Sequence, residues 1–87
     1  MDASENANAP PQWECDGVFD GGTAGCGELL LDLRLHCQNL PEGFRLCLRT
    51  LDPGAPLEIP AWCRLTGHRL AAAEHPHYQL HTVRRQP

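Results

Sequence analysis

Residues 51–70 read LDPGAPLEIPAWCRLTGHRL, and no other segment of the chain carries so many structural signals. An Asp-Pro-Gly turn lies near its start, and residues 57–66 predict a short helix. Trp62 and Leu65 are expected to form the buried face of this helix. Pro60 is expected near its first turn, where a missing N–H costs little. The glycine that follows is a natural left-handed end for a helix. The segment therefore predicts a turn, a helix and a sharp helix end, in that order.

Both flanks of this helix predict β-strands. Before it, Phe44, Leu46 and Leu48 alternate with arginine and cysteine, which is typical of a half-buried strand. After it, residues 69–74 and 77–84 predict two further strands on either side of a His-Pro turn.

The N-terminal half predicts one strand and one helix after a disordered leader. Residues 1–12 are rich in proline, alanine and asparagine and are expected to be disordered. Residues 13–19 predict a strand, since two aromatic residues and a cysteine follow period-2 spacing. After a glycine-rich turn, residues 26–40 fit both strand and helix periodicity. A helix is favoured because the segment is long, leucine-rich and free of β-branched residues.

The predicted order βαβαββ indicates an α/β two-layer sandwich, with two helices packed on one face of a mixed four-stranded sheet. At 87 residues the chain has room for one small domain, expected at 13–87. The leader has no basic region and no apolar run, so it does not resemble a signal peptide. No apolar stretch approaches membrane-spanning length. The sequence therefore predicts a cytoplasmic protein without a membrane segment.

Composition restricts the chemistry that the chain could perform. The only serine is Ser4, in the leader, and there is no lysine, so a Schiff-base or P-loop lysine is excluded. A net charge of −4 argues against direct, stable nucleic-acid binding. Five cysteines in a cytoplasmic chain are expected to be mostly reduced thiols. If the protein performs covalent chemistry, a cysteine is the nucleophile.

Cys26 is the strongest candidate for that nucleophile. It follows the glycine-rich stretch 21–25 and opens the leucine-rich helix predicted to follow. Unpaired N–H groups and the positive end of the helix dipole at a helix start favour thiolate over thiol. We therefore expect Cys26 to be accessible to solvent.

The segment 51–70 strongly resembles TusA/SirA-type sulfur-carrier proteins, whose second helix reads approximately D-P-x-x-x-x-D-I-P-x-[FW]-C-x-x-x-G-H-x-L. The similarity continues through Tyr78 and the Val-Arg pair at 83–84. The cysteine of the family's active site falls on Cys26 without a gap, after Phe-Asp at 19–20. The resemblance implies that Cys26 carries sulfur as a persulfide between proteins.

The chain departs from the family at its signature. Members carry C-P-x-P, whereas this chain has Cys26-Gly27-Glu28-Leu29. Loss of both prolines makes the turn more flexible and returns N–H donors to the helix start. Glu28 adds a negative charge that opposes thiolate formation. The resemblance also implies partner binding around the cysteine, by Gly25, Gly27, Glu28 and Arg34. For Arg34, a solvated arginine paired with Asp32 or a nearby residue is an equally good interpretation.

The other four cysteines are expected to have different roles. Cys37 and Cys63 lie inside helices and are expected to pack in the core. Cys15 is expected to be structural, on the first strand. Cys47 is expected to face the uncovered side of the sheet beside two arginines, which makes it the second candidate for a reactive thiol.

Histidines supply the remaining candidates. His75, His77 and His81 surround a predicted turn, and no close ligand pair such as C-x-x-C is present, so we expect turn histidines and no metal site. His68 matches the Gly-His pair of the family and is expected to support local structure.

These observations predict a sulfur carrier that needs no cofactor and acts as a monomer. Its partners would be a sulfur-donor protein, either a cysteine desulfurase or rhodanese-like, and a sulfur-acceptor protein. The resemblance suggests tRNA thiolation, molybdenum-cofactor supply or oxidative sulfur metabolism. Two alternatives stay open. One is a noncatalytic interaction or regulatory module on the same fold, and the other is a redox sensor that pairs Cys26 with a second thiol.

Overall fold

The computed structural model describes residues 11–83, and within that range the side chain of Cys26 is not described. The predicted leader at 1–12 and the end of the predicted domain therefore lie largely outside the described residues. The elements follow the order β1 (Gly17–Gly22), α1 (Cys26–Cys37), β2 (Arg45–Thr50), α2 (Ala55–Thr66), β3 (Arg69–Glu74) and β4 (His77–His81). The predicted βαβαββ order is confirmed.

The four strands form one mixed sheet in the order β1-β2-β4-β3. β1 and β2 run parallel, with α1 as the crossover that a parallel pair requires. β4 is antiparallel to both β2 and β3. With two helices and one mixed four-stranded sheet, the predicted two-layer α/β fold is confirmed.

Alternation along the central strands places the core on one face of the sheet. Leu46, Leu48 and Thr50 of β2 are buried, and their neighbours in the strand are only half-buried. Leu46 lies opposite Leu80 of β4, and Leu48 lies opposite Tyr78, all four with buried side chains. We call the opposite side of the sheet, on which Arg45, Cys47 and Arg49 lie, the outer face.

Helix α1 buries the stripe that its sequence predicts. Leu29, Leu33 and Cys37 follow one another at four-residue spacing, and all three are buried. The helix ends at Cys37, three residues earlier than predicted, and Leu40 packs against the core from the following turn. The stripe is therefore correct, although the predicted helix was too long.

Helix α2 differs from its prediction in two details. It begins at Ala55, two residues early, so Pro56 occupies the first turn and Pro60 lies in the second. Leu65, predicted to be buried, is 81% exposed. At ~100° per residue Leu65 points away from the buried stripe. That stripe comprises Ala55, Ile59, Trp62 and Cys63.

Strand β1 begins later than predicted. Residues 13–16 precede it, and β1 extends through Gly22, part of the stretch predicted to be a turn. The pairing of β1 with β2 is irregular between Asp20 and Gly22, and Gly22 has a φ of +54°, which glycine adopts without strain. Within residues 11–83, neither helix is long and apolar enough to cross a membrane.

Candidate functional site

Cys26 is the first residue of α1. Gly25 precedes it as the N-cap in an extended conformation, with φ −70° and ψ 160°, and has no side chain to cap the helix. The Leu29 N–H donates to the Gly25 carbonyl at 2.8 Å, which closes the first turn. The N–H groups within that turn have no acceptor in the helix, so they and the helix dipole favour a thiolate at Cys26. The side chain of Cys26 is not among those that the structure describes, so the exposure of its thiol stays a prediction.

The loop before Cys26 is fixed by short-range hydrogen bonds. The Gly22 N–H donates to Asp20 Oδ1 at 2.9 Å, and the Ala24 N–H donates to the Gly21 carbonyl at 3.0 Å. The Leu51 N–H donates to the Gly22 carbonyl at 2.8 Å and ties the loop to the residue after β2. A Cβ at Gly21 would overlap the side chain of Leu29, so the end of β1 lies directly against α1.

The surface around the start of α1 is open. Gly25, Gly27 and Glu28 are exposed. A Cβ added at Gly25 or Gly27 would meet no atom within 4 Å. Glu28 lies in the first turn, where a carboxylate interacts favourably with the helix dipole. The three partner-binding candidates nearest Cys26 thus lie together on accessible surface.

Arg34 lies farther along α1, at a cleft between the two helices. The cleft has a volume of about 780 Å³, and Leu31, Trp62 and Leu65 also line it. Arg34 is exposed, and within residues 11–83 it forms no ion pair, so the pairing with Asp32 in the alternative interpretation is not formed. Arg34 thus lines a cleft of mixed polar and apolar character.

Cys37 and Cys63 are core residues, as predicted. Both are buried, with 5% and 4% of their surface exposed. Burial raises the pKa of each thiol to about 11, because the interior disfavours the charged thiolate. Both cysteines are therefore poor nucleophiles at neutral pH.

Cys15 and Cys47 are joined by a disulfide, which the sequence analysis did not predict. Cys47 does lie on the outer face between Arg45 and Arg49, as predicted, but it is not a free thiol. Cys15 is exposed and precedes β1, so its predicted place on a strand is wrong. Strict alternation from Phe19 would have turned Cys15 toward the core. Because β1 begins only at Gly17, Cys15 reaches the outer face instead.

His68 has the structural role predicted for it. Its Nδ1 accepts a hydrogen bond from the Val83 N–H at 3.0 Å, and its ring lies 5.5 Å from that of Trp62. Burial lowers the pKa of His68, and the hydrogen bond requires an unprotonated Nδ1. His75 lies in the β3–β4 turn as predicted, where its Nδ1 is 2.6 Å from the hydroxyl of Tyr78.

Curated relatives identify the family. No family model matches the chain. The sulfur carrier protein TusA of Pseudomonas putida strain GB-1 is 34% identical over 55 residues, which cover 63% of this chain and 69% of the relative. TusA of strain W619 is 33% identical over the same length and coverage. The chain belongs to the TusA family of sulfur carrier proteins. The resemblance stated from the motif is thereby confirmed, and this TusA-family member carries C-G-E-L where the resemblance implies C-P-x-P.

Proposed function

We propose that this protein relays sulfane sulfur as a persulfide on Cys26, between a sulfur-donor protein and a sulfur-acceptor protein. Membership of the TusA family carries the proposal. The position of Cys26 as the first residue of α1 supports it, since that position favours the thiolate. The donor would be a cysteine desulfurase or a rhodanese-like protein, and the proposed compartment is the cytoplasm.

The relay consists of two thiolate displacements. The Cys26 thiolate attacks the outer sulfur of a persulfide on the donor, a Cys26–sulfur bond forms, and the donor cysteine leaves as a thiolate. An acceptor thiolate then attacks the outer sulfur of the Cys26 persulfide. The outer sulfur bonds to the acceptor, and Cys26 leaves as a thiolate. No net oxidation occurs, so the cycle needs neither a cofactor nor an external oxidant.

The other four cysteines are poorly suited to carry the sulfane sulfur in place of Cys26. Cys37 and Cys63 are buried with raised thiol pKa values, and Cys15 and Cys47 are joined to each other. We propose that donor and acceptor bind around Gly25, Gly27 and Glu28, and that Arg34 contacts an acidic group of the partner from the interhelix cleft. The open space at both glycines supports close approach of a partner backbone.

Persulfide loading tests the proposal directly. The full chain is incubated with a loaded cysteine desulfurase and analysed by intact-protein mass spectrometry without reductant. We expect an adduct of one sulfur atom on the wild-type protein and its loss in Cys26→Ser, because a hydroxyl cannot carry sulfane sulfur. The Cys15→Ser/Cys47→Ser double variant is the matched control and should load like the wild type.

The possible failures are distinguishable. Full loading of Cys26→Ser would show that another cysteine carries the sulfur. No loading of the wild type would overturn the relay and leave the noncatalytic interaction module. The Cys-Gly-Glu-Leu sequence in place of the family signature is the observation that favours that second function.

A further inference from the structure

We propose that Cys15 and Cys47 form a second sulfur site, a reversible thiol–disulfide exchange centre on the outer face of the sheet. The two Cα atoms are 5.8 Å apart, within the usual range for a disulfide. Neither cysteine contributes to the hydrophobic core. The site is separate from Cys26, and its chemistry does not depend on the sulfur relay proposed above.

The disulfide attaches the segment 13–16, which we call the strap, to strand β2. The Asp16 N–H donates to the Arg45 carbonyl at 2.7 Å, and the Arg45 N–H donates to Asp16 Oδ2 at 2.9 Å. The Arg45 guanidinium pairs with Asp16 at 2.9 Å and with Glu14 at 2.8 Å. Gln79 Nε2 donates to the Glu14 carbonyl at 2.6 Å. The disulfide is thus one of several contacts that hold the strap.

These contacts would keep the two thiols close together after reduction. The backbone pairing of Asp16 with Arg45 holds the residue next to Cys15, and Arg45 is two residues from Cys47. A pair held in this way re-forms its disulfide at a high effective concentration. The ion pairs of Glu14 and Asp16 with Arg45, by contrast, are exposed to solvent, and exposed ion pairs contribute little stability. Reduction should therefore make the strap open more often, while its remaining hydrogen bonds keep it paired with β2 and the domain stays folded.

The disulfide is accessible to an attacking thiol. Cys15 is exposed, and both cysteines line a cleft of about 300 Å³ together with Trp13, Val18, Arg49 and His77. Cys15 is the more exposed of the two cysteines, since Cys47 is half-buried within β2, so Cys15 Sγ is the easier sulfur for a thiol to reach. The geometry favours attack on Cys15 with Cys47 as the leaving group.

The exchange balances with a low-molecular-weight thiol as reductant. A thiolate attacks Cys15 Sγ, the Cys15–Cys47 bond breaks, and Cys47 leaves as a thiolate that takes up a proton. A second thiolate attacks the mixed disulfide and releases Cys15, so two thiols become one small disulfide. In the reverse direction the small disulfide is reduced and the Cys15–Cys47 bond re-forms.

The test is a glutathione redox titration of the full chain in the Cys26→Ser background, which removes the proposed carrier thiol. After alkylation, intact mass spectrometry should show a reversible loss of two labelled thiols as oxidised glutathione increases, and peptide mapping should assign them to Cys15 and Cys47. In Cys47→Ser, a glutathione adduct should accumulate on Cys15. A disulfide that resists excess glutathione, or that never forms in oxidised glutathione, would overturn the proposal.

Two arginine variants test the role of the strap contacts. Arg45 and Arg49 each lie two residues from Cys47 on the outer face, but only Arg45 pairs with the strap, whereas Arg49 pairs with Asp20. Arg45→Gln should make the disulfide less stable relative to the two thiols. The titration midpoint should therefore move to more oxidising conditions, by roughly three- to tenfold in the glutathione ratio. Arg49→Gln, the matched control, should shift it much less. Equal shifts would show that only the neighbouring charge matters and would overturn the positioning role of Arg45.

Hydrogen exchange provides an independent readout. Amides of residues 13–16 should exchange faster in the reduced protein than in the oxidised one, whereas those of α2 should not change. Unchanged exchange in the strap would contradict this more frequent opening. Persulfide loading of the carrier cysteine in Cys15→Ser should match the wild type, so failure of this proposal and failure of the proposed function would be separate results.

Discussion

The electrostatic balance at the start of α1 depends on individual residues. Gly25 leaves the helix uncapped by any side chain of its own, so the first N–H groups are available to an anion at Cys26. Glu28 occupies the same turn with a negative charge. That charge stabilises the helix but opposes a second anion nearby. We therefore expect Glu28 to offset part of the effect by which the helix start favours a thiolate at Cys26.

Neutralising Glu28 should make Cys26 react faster. In Glu28→Gln we expect the rate of alkylation at Cys26, measured at a fixed pH near neutral, to rise modestly, by up to about twofold, because a nearby negative charge disfavours the thiolate. Asp32→Asn is the matched control, because Asp32 is also an exposed carboxylate on α1 but lies one turn farther from the cysteine. An equal increase in both variants would point to overall charge rather than to Glu28.

At the scale of single elements, periodicity predicted most of the fold. The four-residue spacing of Leu29, Leu33 and Cys37 correctly identified the buried stripe of α1. Periodicity failed where the chain leaves its regular element. Cys15 was assigned by alternation to a strand that had not yet begun. The disulfide with Cys47 was not predicted, because the cysteines were expected to be mostly reduced thiols. Local spacing does not reveal the contact between strand β2 and the strap, the non-strand segment that precedes β1.

Periodicity also does not reveal the contact between the end of β1 and α1, and this contact leads to a prediction about Gly21. A Cβ there would overlap Leu29, which is itself fully buried. Gly21→Ala should lower the free energy of unfolding by about 1–3 kcal/mol, as overpacking does in other cores. Gly25→Ala is the matched control, since it has open space and a φ of −70°.

Denaturant unfolding of both variants distinguishes this contact from a general intolerance of the connection between β1 and α1 to substitution. Gly25→Ala should cost less, about 0.5–1 kcal/mol, which is the difference between glycine and alanine at an N-cap. Similar losses in both variants would show that loop flexibility, rather than the approach of Gly21 to Leu29, determines stability.

In the whole molecule, the four cysteines with described side chains have two different environments. Cys37 and Cys63 lie between the helices and the sheet, where burial suppresses the thiolate. Cys15 and Cys47 lie on the opposite side of the sheet, at an accessible disulfide. Cys26 follows β1 and opens α1, away from the strap in sequence. One small sheet thus separates core thiols from a thiol pair that can exchange.

Global stability should depend on the protonation of His68, because this residue connects the region after α2 to the chain after β4. Its Nδ1 accepts the Val83 N–H, and burial lowers its pKa below the ordinary value of 6.5. As pH falls below about 6.5, the unfolded chain binds a proton at this position more readily than the native state does. The contribution of His68 to stability is therefore present above pH 6.5 and is lost as pH decreases toward its lower native value.

Comparison with His68→Asn isolates this contribution. Asparagine can still accept the Val83 N–H through its side-chain oxygen, but it does not titrate. The free energy of unfolding, measured by urea denaturation between pH 7.5 and 5, should fall more steeply in the wild type than in His68→Asn. The variant should be less stable at pH 7.5, because it loses the ring contact with Trp62. Asp16, whose carboxyl pKa is lowered to about 2 by its hydrogen bonds to Arg45, titrates well below this window. Parallel pH profiles for the two proteins would exclude His68 as the source of the pH dependence.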